Sequence, residues 1–274
     1  MLTFAAIAPH GGDLVTQIAD DPGVMAKTRA AMRELGKRFA VSRPETVVVL
    51  TPHGVMPAEG VAVGMTTRAA GILDKPDGRR IKAAFTVDTD LAAQIIEAGS
   101  DHELPFYRLR GEKNGADAVL PLDWGALIPL WFTAHPLTPR PEIVVLAPSP
   151  SLPRETLVRV GVAIARAAKT SGKRVALIAS GDLGHAHDPD GPYGYDSASA
   201  AHDAALCDAI ENDDLSQLLY YPDEFLEDAK VDAFYQILPL MGALGHTPMR
   251  GELLSYQAPT YFGMAVAVYE PLLP

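Results

Sequence analysis

Thr46-Val-Val-Val-Leu-Thr-Pro-His-Gly54 is the stretch on which the fold turns. Thr46–Thr51, with its apolar run of valines and leucine, reads as a strand buried on both faces in a mainly parallel sheet. Proline then stops the strand and glycine lets the backbone turn away, which leaves an imidazole at the sheet rim. The same order of residues stands at the start of the chain, where Leu2–Ala8 runs into Pro9-His10-Gly11-Gly12. Glu142–Ala147 and Arg174–Ala179 read as two more buried strands. Helical periodicity fills the intervals at Val24–Phe39, Leu91–Ala98, Trp124–Ala134 and Arg154–Thr170. This alternation predicts an α/β fold, one domain over residues 1–274, with a mainly parallel or mixed central sheet and helices on both faces.

Outside that frame the signals are shorter. Val61–Met65 and Ile81–Val87 read as strands joined through a turn at Asp74-Lys-Pro-Asp-Gly78. Ser197–Ile210 and Glu224–Leu244 read as helices, and Glu252–Tyr256 and Phe262–Tyr269 as closing strands.

The 274 residues are 48% hydrophobic and carry a formal net charge of −11. That length supports a large core, and the negative charge argues against a nucleic-acid binder, which needs a basic footprint. A single cysteine, Cys207, excludes an internal disulfide or a cysteine-rich zinc site and fits a reducing, cytoplasmic setting. The apolar start is short and lacks a basic leader, and no apolar run reaches the roughly 20 residues of a membrane span. The expectation is a soluble protein with no membrane partner.

His10, His53 and His185 each leave a strand at its carboxyl end, the last in Val175-Ala-Leu-Ile-Ala-Ser-Gly-Asp-Leu-Gly-His185. In open parallel sheets the ligand crevice lies at that edge, so histidines far apart in sequence converge there on rigid elements suited to a metal. His187 is a secondary candidate. His102, His135 and His246 read as surface or loop residues, and His202, beside Asp203, as solvated on a helix face. Asp182 either orients His185 or caps the turn at the strand end. Tyr193 and Tyr195 either line the pocket or sit exposed in a Gly/Pro turn.

Pro-His-Gly-Gly near the N-terminus, a second Pro-His-Gly after an apolar strand, Ser-Gly-Asp-Leu-Gly-His, and the closing Gly-Glu-Leu-Leu-Ser-Tyr256 and Phe-Gly-Met-Ala-Val266 together resemble the catalytic, LigB-type subunit of class III extradiol ring-cleavage dioxygenases. Memo-like proteins resemble it more distantly. The resemblance covers nearly the whole chain. It implies a non-haem Fe(II) oxidoreductase of aromatic catabolism that opens a catechol- or aminophenol-type ring with dioxygen. His10 and His53 then become metal ligands and His185 the acid/base that takes a substrate proton and returns it. Two histidines and a carboxylate leave coordination positions open on the iron.

The resemblance places the third ligand about ten residues before Gly242-Ala-Leu244, which reaches Asp232 where ring-cleaving relatives have Glu; Glu227 and Glu252 are the alternatives. A second departure is Trp124 in Leu122-Asp-Trp-Gly125, where relatives commonly have a histidine facing the substrate. Trp124 can stack on an aromatic ring but cannot transfer a proton. Two other functions therefore stand beside ring cleavage: a Memo-like metal-binding protein without that activity, and a hydrolase with zinc as the alternative metal. A homo-oligomer or a small second subunit is the expected assembly.

Overall fold

A computed structural model describes residues 1–101, 103–110 and 118–272. The expectation for His102 falls outside them. The strands are β1 (Leu2–Ala8), β2 (Thr46–Leu50), β3 (Val61–Gly64), β4 (Arg68–Asp74), β5 (Arg80–Thr86), β6 (Phe106–Leu109), β7 (Val119–Pro121), β8 (Glu142–Pro148), β9 (Val175–Ser180), β10 (Met249–Gln257) and β11 (Met264–Pro271). The α-helices are α1 (Ala26–Ser42), α2 (Thr89–Ser100), α3 (Trp124–Phe132), α4 (Arg154–Thr170), α5 (Ser197–Glu211), α6 (Asp223–Ala229) and α7 (Phe234–His246).

The main sheet runs β10-β11-β1-β9-β2-β8-β3-β6. Its centre, β1, β9, β2 and β8, is parallel. Antiparallel β11 and β3 flank that centre, so the sheet is mixed and the α/β reading holds. All five residues of β2 are buried, as expected of a strand covered on both faces. One apolar cluster lies under α2, α4, α5 and α7 and the other under α1 and α3. Each fully buried Leu, Ile or Val contributes about 1.5–3 kcal/mol.

On the α1/α3 side the cover includes a second, three-stranded sheet, β5-β4-β7. Here the sequence expectation is corrected. The Asp74–Gly78 turn joins β5 to β4, not to β3, and the two strands pair antiparallel from Arg68↔Thr86 to Asp74↔Arg80. The strand β4 is hard to read because only Ala69 on it is buried, so no apolar alternation marks it.

A second correction carries more weight for function. The stretch Glu224–Leu244 is two helices, because Lys230 adopts a left-handed backbone (φ 52°) and ends α6. Apolar spacing runs on across the break through Leu226, Ala229, Ala233 and Ile237, all buried, so periodicity alone conceals it. Asp232 lies in that break. Behind it, α7 seats tightly on α4: a Cβ on Gly161 would come within 1.8 Å of the Pro239 carbonyl oxygen, and one on Gly242 within 1.9 Å of that of Val158.

Candidate metal centre

The strand order explains why distant residues meet. β9 lies between β1 and β2, and Ala8 and Ser180 stand level where β1 and β9 end. The chain therefore delivers His10, the Ser180–His185 loop and His53 from three adjacent strands at one sheet edge. The break between α6 and α7 docks on the same loop. The Ala233 amide donates to the Asp182 carbonyl at 2.8 Å, and the Asp182 amide donates to Asp232 Oδ2 at 3.2 Å. Gly181 permits this approach, since a Cβ there would lie 2.4 Å from Ala233 Cα.

His10, His53 and Asp232 come together as a triangle. His10 Nε2 is 3.0 Å from His53 Nε2 and 3.3 Å from Asp232 Oδ2, and His53 Nε2 is 3.9 Å from Asp232 Oδ1. Donors bonded to one ion at about 2.1 Å stand roughly 3.0–3.4 Å apart at octahedral or tetrahedral angles. Two of the three edges meet that range and the third is slightly wider. Nitrogen and oxygen donors of this mix suit a divalent first-row metal. Glu227 is exposed on α6, and Glu252 is paired with Arg38 at 2.6 Å; neither enters the triangle.

The ionisation state of the two histidines favours ligation. Burial pushes the His10 imidazole well below its ordinary value, and the charges of His53 and His185 act the same way. Burial also lowers His53, against the opposing charge of Asp123. Both rings are therefore neutral near pH 7 and keep a lone pair. For His10 its location follows from the hydrogen bonds. Ser180 Oγ donates to the Gly125 carbonyl at 2.5 Å, so it accepts from His10 Nδ1 at 3.1 Å and leaves Nε2 bare. Burial pushes the Asp232 carboxyl up to about 7.

Asp182 does not orient His185. Its Oδ1 accepts the His10 amide at 3.1 Å and its Oδ2 lies 3.6 Å from His10 Nε2, so it borders the triangle from the β1 side. Burial, and then the charge of Asp232, push its carboxyl well above the ordinary carboxylate range. His185 instead donates from Nδ1 to the Leu183 carbonyl at 2.8 Å, which leaves Nε2 as the unprotonated nitrogen of the neutral ring, and the Lys230 backbone is a second hydrogen-bond partner of the imidazole. Burial outweighs the opposing hydrogen bonds and lowers this imidazole too. Phe262 stacks on it at 5.5 Å, and Tyr193 (6.0 Å) and Tyr261 (5.8 Å) flank it. Tyr195 is 62% exposed and makes no ring contact with His185. Trp124 stacks on His53 at 4.2 Å.

The glycines of the two Pro-His-Gly motifs serve space rather than turning, since neither Gly11 nor Gly54 has a positive φ. A Cβ on Gly54 would lie 3.2–3.3 Å from Thr51, Ala147 and Asp123, and one on Gly11 3.1–3.2 Å from Met25 and Phe262.

His202, expected to be solvated, is 1% exposed, and its neighbour Asp203 is 0% exposed. Asp203 accepts from the Gly184 amide (2.8 Å), His187 Nε2 (2.9 Å), His202 Nδ1 (3.1 Å) and Tyr256 Oη (2.8 Å). It thus staples the loop on both sides of His185. Against the burial penalty, the His187 and His202 bonds hold its carboxyl below the ordinary range. The helical spacing Ser199, Asp203, Leu206, Ile210 puts Asp203 on the apolar face of α5 and is the signal that marks it as buried. Asp203→Ala would leave several buried donors unpaired, with an expected stability loss of about 3–5 kcal/mol, read from a urea unfolding midpoint. An unchanged midpoint would remove the staple. His246 is the last residue of α7 rather than a loop residue, and His135 stacks on Trp131 at 4.3 Å; neither contacts the triangle.

Among the described residues no helix is long and apolar enough to cross a membrane. The model of the catalytic LigB subunit of aromatic ring-opening dioxygenase matches residues 5–268. The chain is 23% identical over 267 residues to Protein CA_C1420 of Clostridium acetobutylicum, covering 96% of this chain and 56% of that protein, so it spans little more than half of the relative's length. A crystal structure of the uncharacterized protein JW3007 from Escherichia coli K12 superposes with a TM-score of 0.61 at 17% identity, over 97% of this chain and 99% of that one. That likeness concerns the fold.

Proposed function

The chain belongs to the family of the catalytic LigB subunit of aromatic ring-opening dioxygenases, and from that premise we propose that it is an Fe(II)-dependent extradiol dioxygenase opening a catechol- or aminophenol-type ring with dioxygen. The observation that carries this reading is the meeting of two imidazoles, both neutral near pH 7, and one carboxylate beside a third histidine, His185. His10, His53 and Asp232 would hold ferrous iron, which would supply the redox chemistry that lets a closed-shell aromatic react with dioxygen.

The remaining work belongs to side chains. His185 Nε2 takes the proton of a ring hydroxyl and later returns it, a task suited to a group that is neutral at working pH. Phe262, Tyr193 and Tyr261 form an aromatic wall around that imidazole. Phe262 is buried and Tyr193 56% exposed, so the wall offers aromatic contact to a flat ring from the solvent side of His185. Asp182, held by the His10 amide, fixes the carboxyl end of β1 beside the triangle.

The same donors suit zinc, and Trp124 supplies no proton donor beside His53, so a zinc hydrolase is the rival reading. Protein purified without oxygen and loaded with ferrous iron is expected to consume oxygen with at least one member of a catechol and aminophenol panel and to yield a yellow ring-opened product. Iron-loaded protein inert across that panel would count against ring cleavage, and stoichiometric zinc in the purified protein would favour the rival.

A further inference from the structure

We propose that Trp124 is a positioning residue of the metal centre, holding His53 by ring stacking where a hydrogen bond orients other ligating imidazoles. This rests on the metal-centre reading given above. A ligating imidazole must be aimed as well as deprotonated, and the usual device is a hydrogen bond from its second ring nitrogen. His10 follows that rule through Ser180. His53 does not, because its Nδ1 has no hydrogen-bond partner among the described residues.

Rings stand in for the missing bond. Trp124 lies 4.2 Å from the His53 ring at an interplanar angle of 24°, and His10 meets it edge-on at 4.7 Å and 77°. The stack fixes the plane of the imidazole, and with it the direction of the Nε2 lone pair. The indole is itself well placed to do so. It is the first residue of α3, whose N-cap Asp123 accepts from the Ala126 amide at 3.0 Å and from Thr51 Oγ1 at 2.6 Å. Thr51 Oγ1 in turn accepts the His53 amide at 3.3 Å. One hydrogen-bonded chain therefore couples the start of α3 to the loop bearing His53. A Cβ on Gly125 would reach within 3.3 Å of His53 Cδ2, so α3 also closes on the ring beside the stack.

Trp124 is 46% exposed. An indole left half in water contributes little to a core, and its ordered contact is with the candidate ligand. The pair Trp124→Ala and Trp124→Phe tests the assignment by anaerobic titration with Fe(II) and with Co(II), whose visible spectrum reports ligand geometry. Trp124→Ala is expected to weaken metal binding by about tenfold or more, within the range for loss of a group supporting a ligand, and to change the cobalt spectrum. Its thermal midpoint should stay near the parent's. Trp124→Phe retains a stacking ring and is expected to recover most of the affinity, which a merely structural role would not predict. Parent-like affinity in Trp124→Ala, or equal loss in both variants, overturns the proposal. A parent protein that binds neither metal overturns the centre itself, and that failure is seen before any variant is titrated.

Discussion

Replacing His53 with Ala is expected to abolish ferrous-iron binding while leaving the fold in place. His53 is half-buried in the loop after β2 and contributes to neither apolar cluster, so its loss removes a donor and little packing. The remaining donors, His10 and Asp232, are 3.3 Å apart and can offer a two-point site. The loss should exceed the roughly 10–100-fold that follows removal of a group outside the coordination sphere. Anaerobic titration with iron analysis after desalting measures it, and unchanged metal content would take His53 out of the site.

The same titration carries a pH dependence whose sign follows from Asp232. Its carboxyl in the metal-free chain is raised to about 7, so below that pH a proton must leave before the oxygen can bind a cation. Affinity is therefore expected to rise with pH up to about 7, by at most about tenfold per unit for one displaced proton, and then to flatten. His10 and His53 are lowered rather than raised, so each loses its proton at a lower pH than an ordinary imidazole.

What was legible in the sequence follows from what leaves a local trace. A run such as Val47–Leu50 is buried on both faces and says so in its composition. The four central strands accordingly lie within a residue or two of their expected bounds, and Arg154–Thr170 is a helix at those bounds. Strand ends at prolines placed His10 and His53 at the rim. The carboxylate was harder, since Asp232 is presented by a helix break that depends on Lys230 adopting a left-handed backbone and on Gly181 leaving room for Ala233. Neither is visible as a pattern. Asp182 departs from its expected place beside His185 for a similar reason. Which histidine a carboxylate serves is set by strand order, and β9 lying between β1 and β2 puts Asp182 against His10. Trp124 could be read as an aromatic platform, but its stack on His53 required the Thr51–Asp123 bond that joins β2's loop to α3.

His185→Gln is expected to lower ring-opening turnover by about 10²–10⁴-fold, the usual contribution of a positioned acid/base, with iron still bound. Gln keeps much of the volume against Phe262 and Tyr261 and retains an amide that can donate toward the Leu183 carbonyl, but it has no basic nitrogen. His185 lies outside the triangle of donors, so metal affinity should hold. The pH profile separates a proton-transfer role from a packing one. Burial lowers the His185 imidazole below its ordinary value, and the neutral, competent form exists above its pKa. The acid limb of turnover in the parent should therefore fall below about pH 6.5, the unperturbed histidine value, and should vanish from the residual activity of the Gln variant. A packing role would instead lower turnover at every pH and leave the limb where it was. Set beside His53→Ala, the contrast is diagnostic: one variant loses its iron, the other keeps its iron and loses its proton carrier. If His185→Gln loses iron as well, the histidine belongs to the coordination sphere and the proton must be carried by another group.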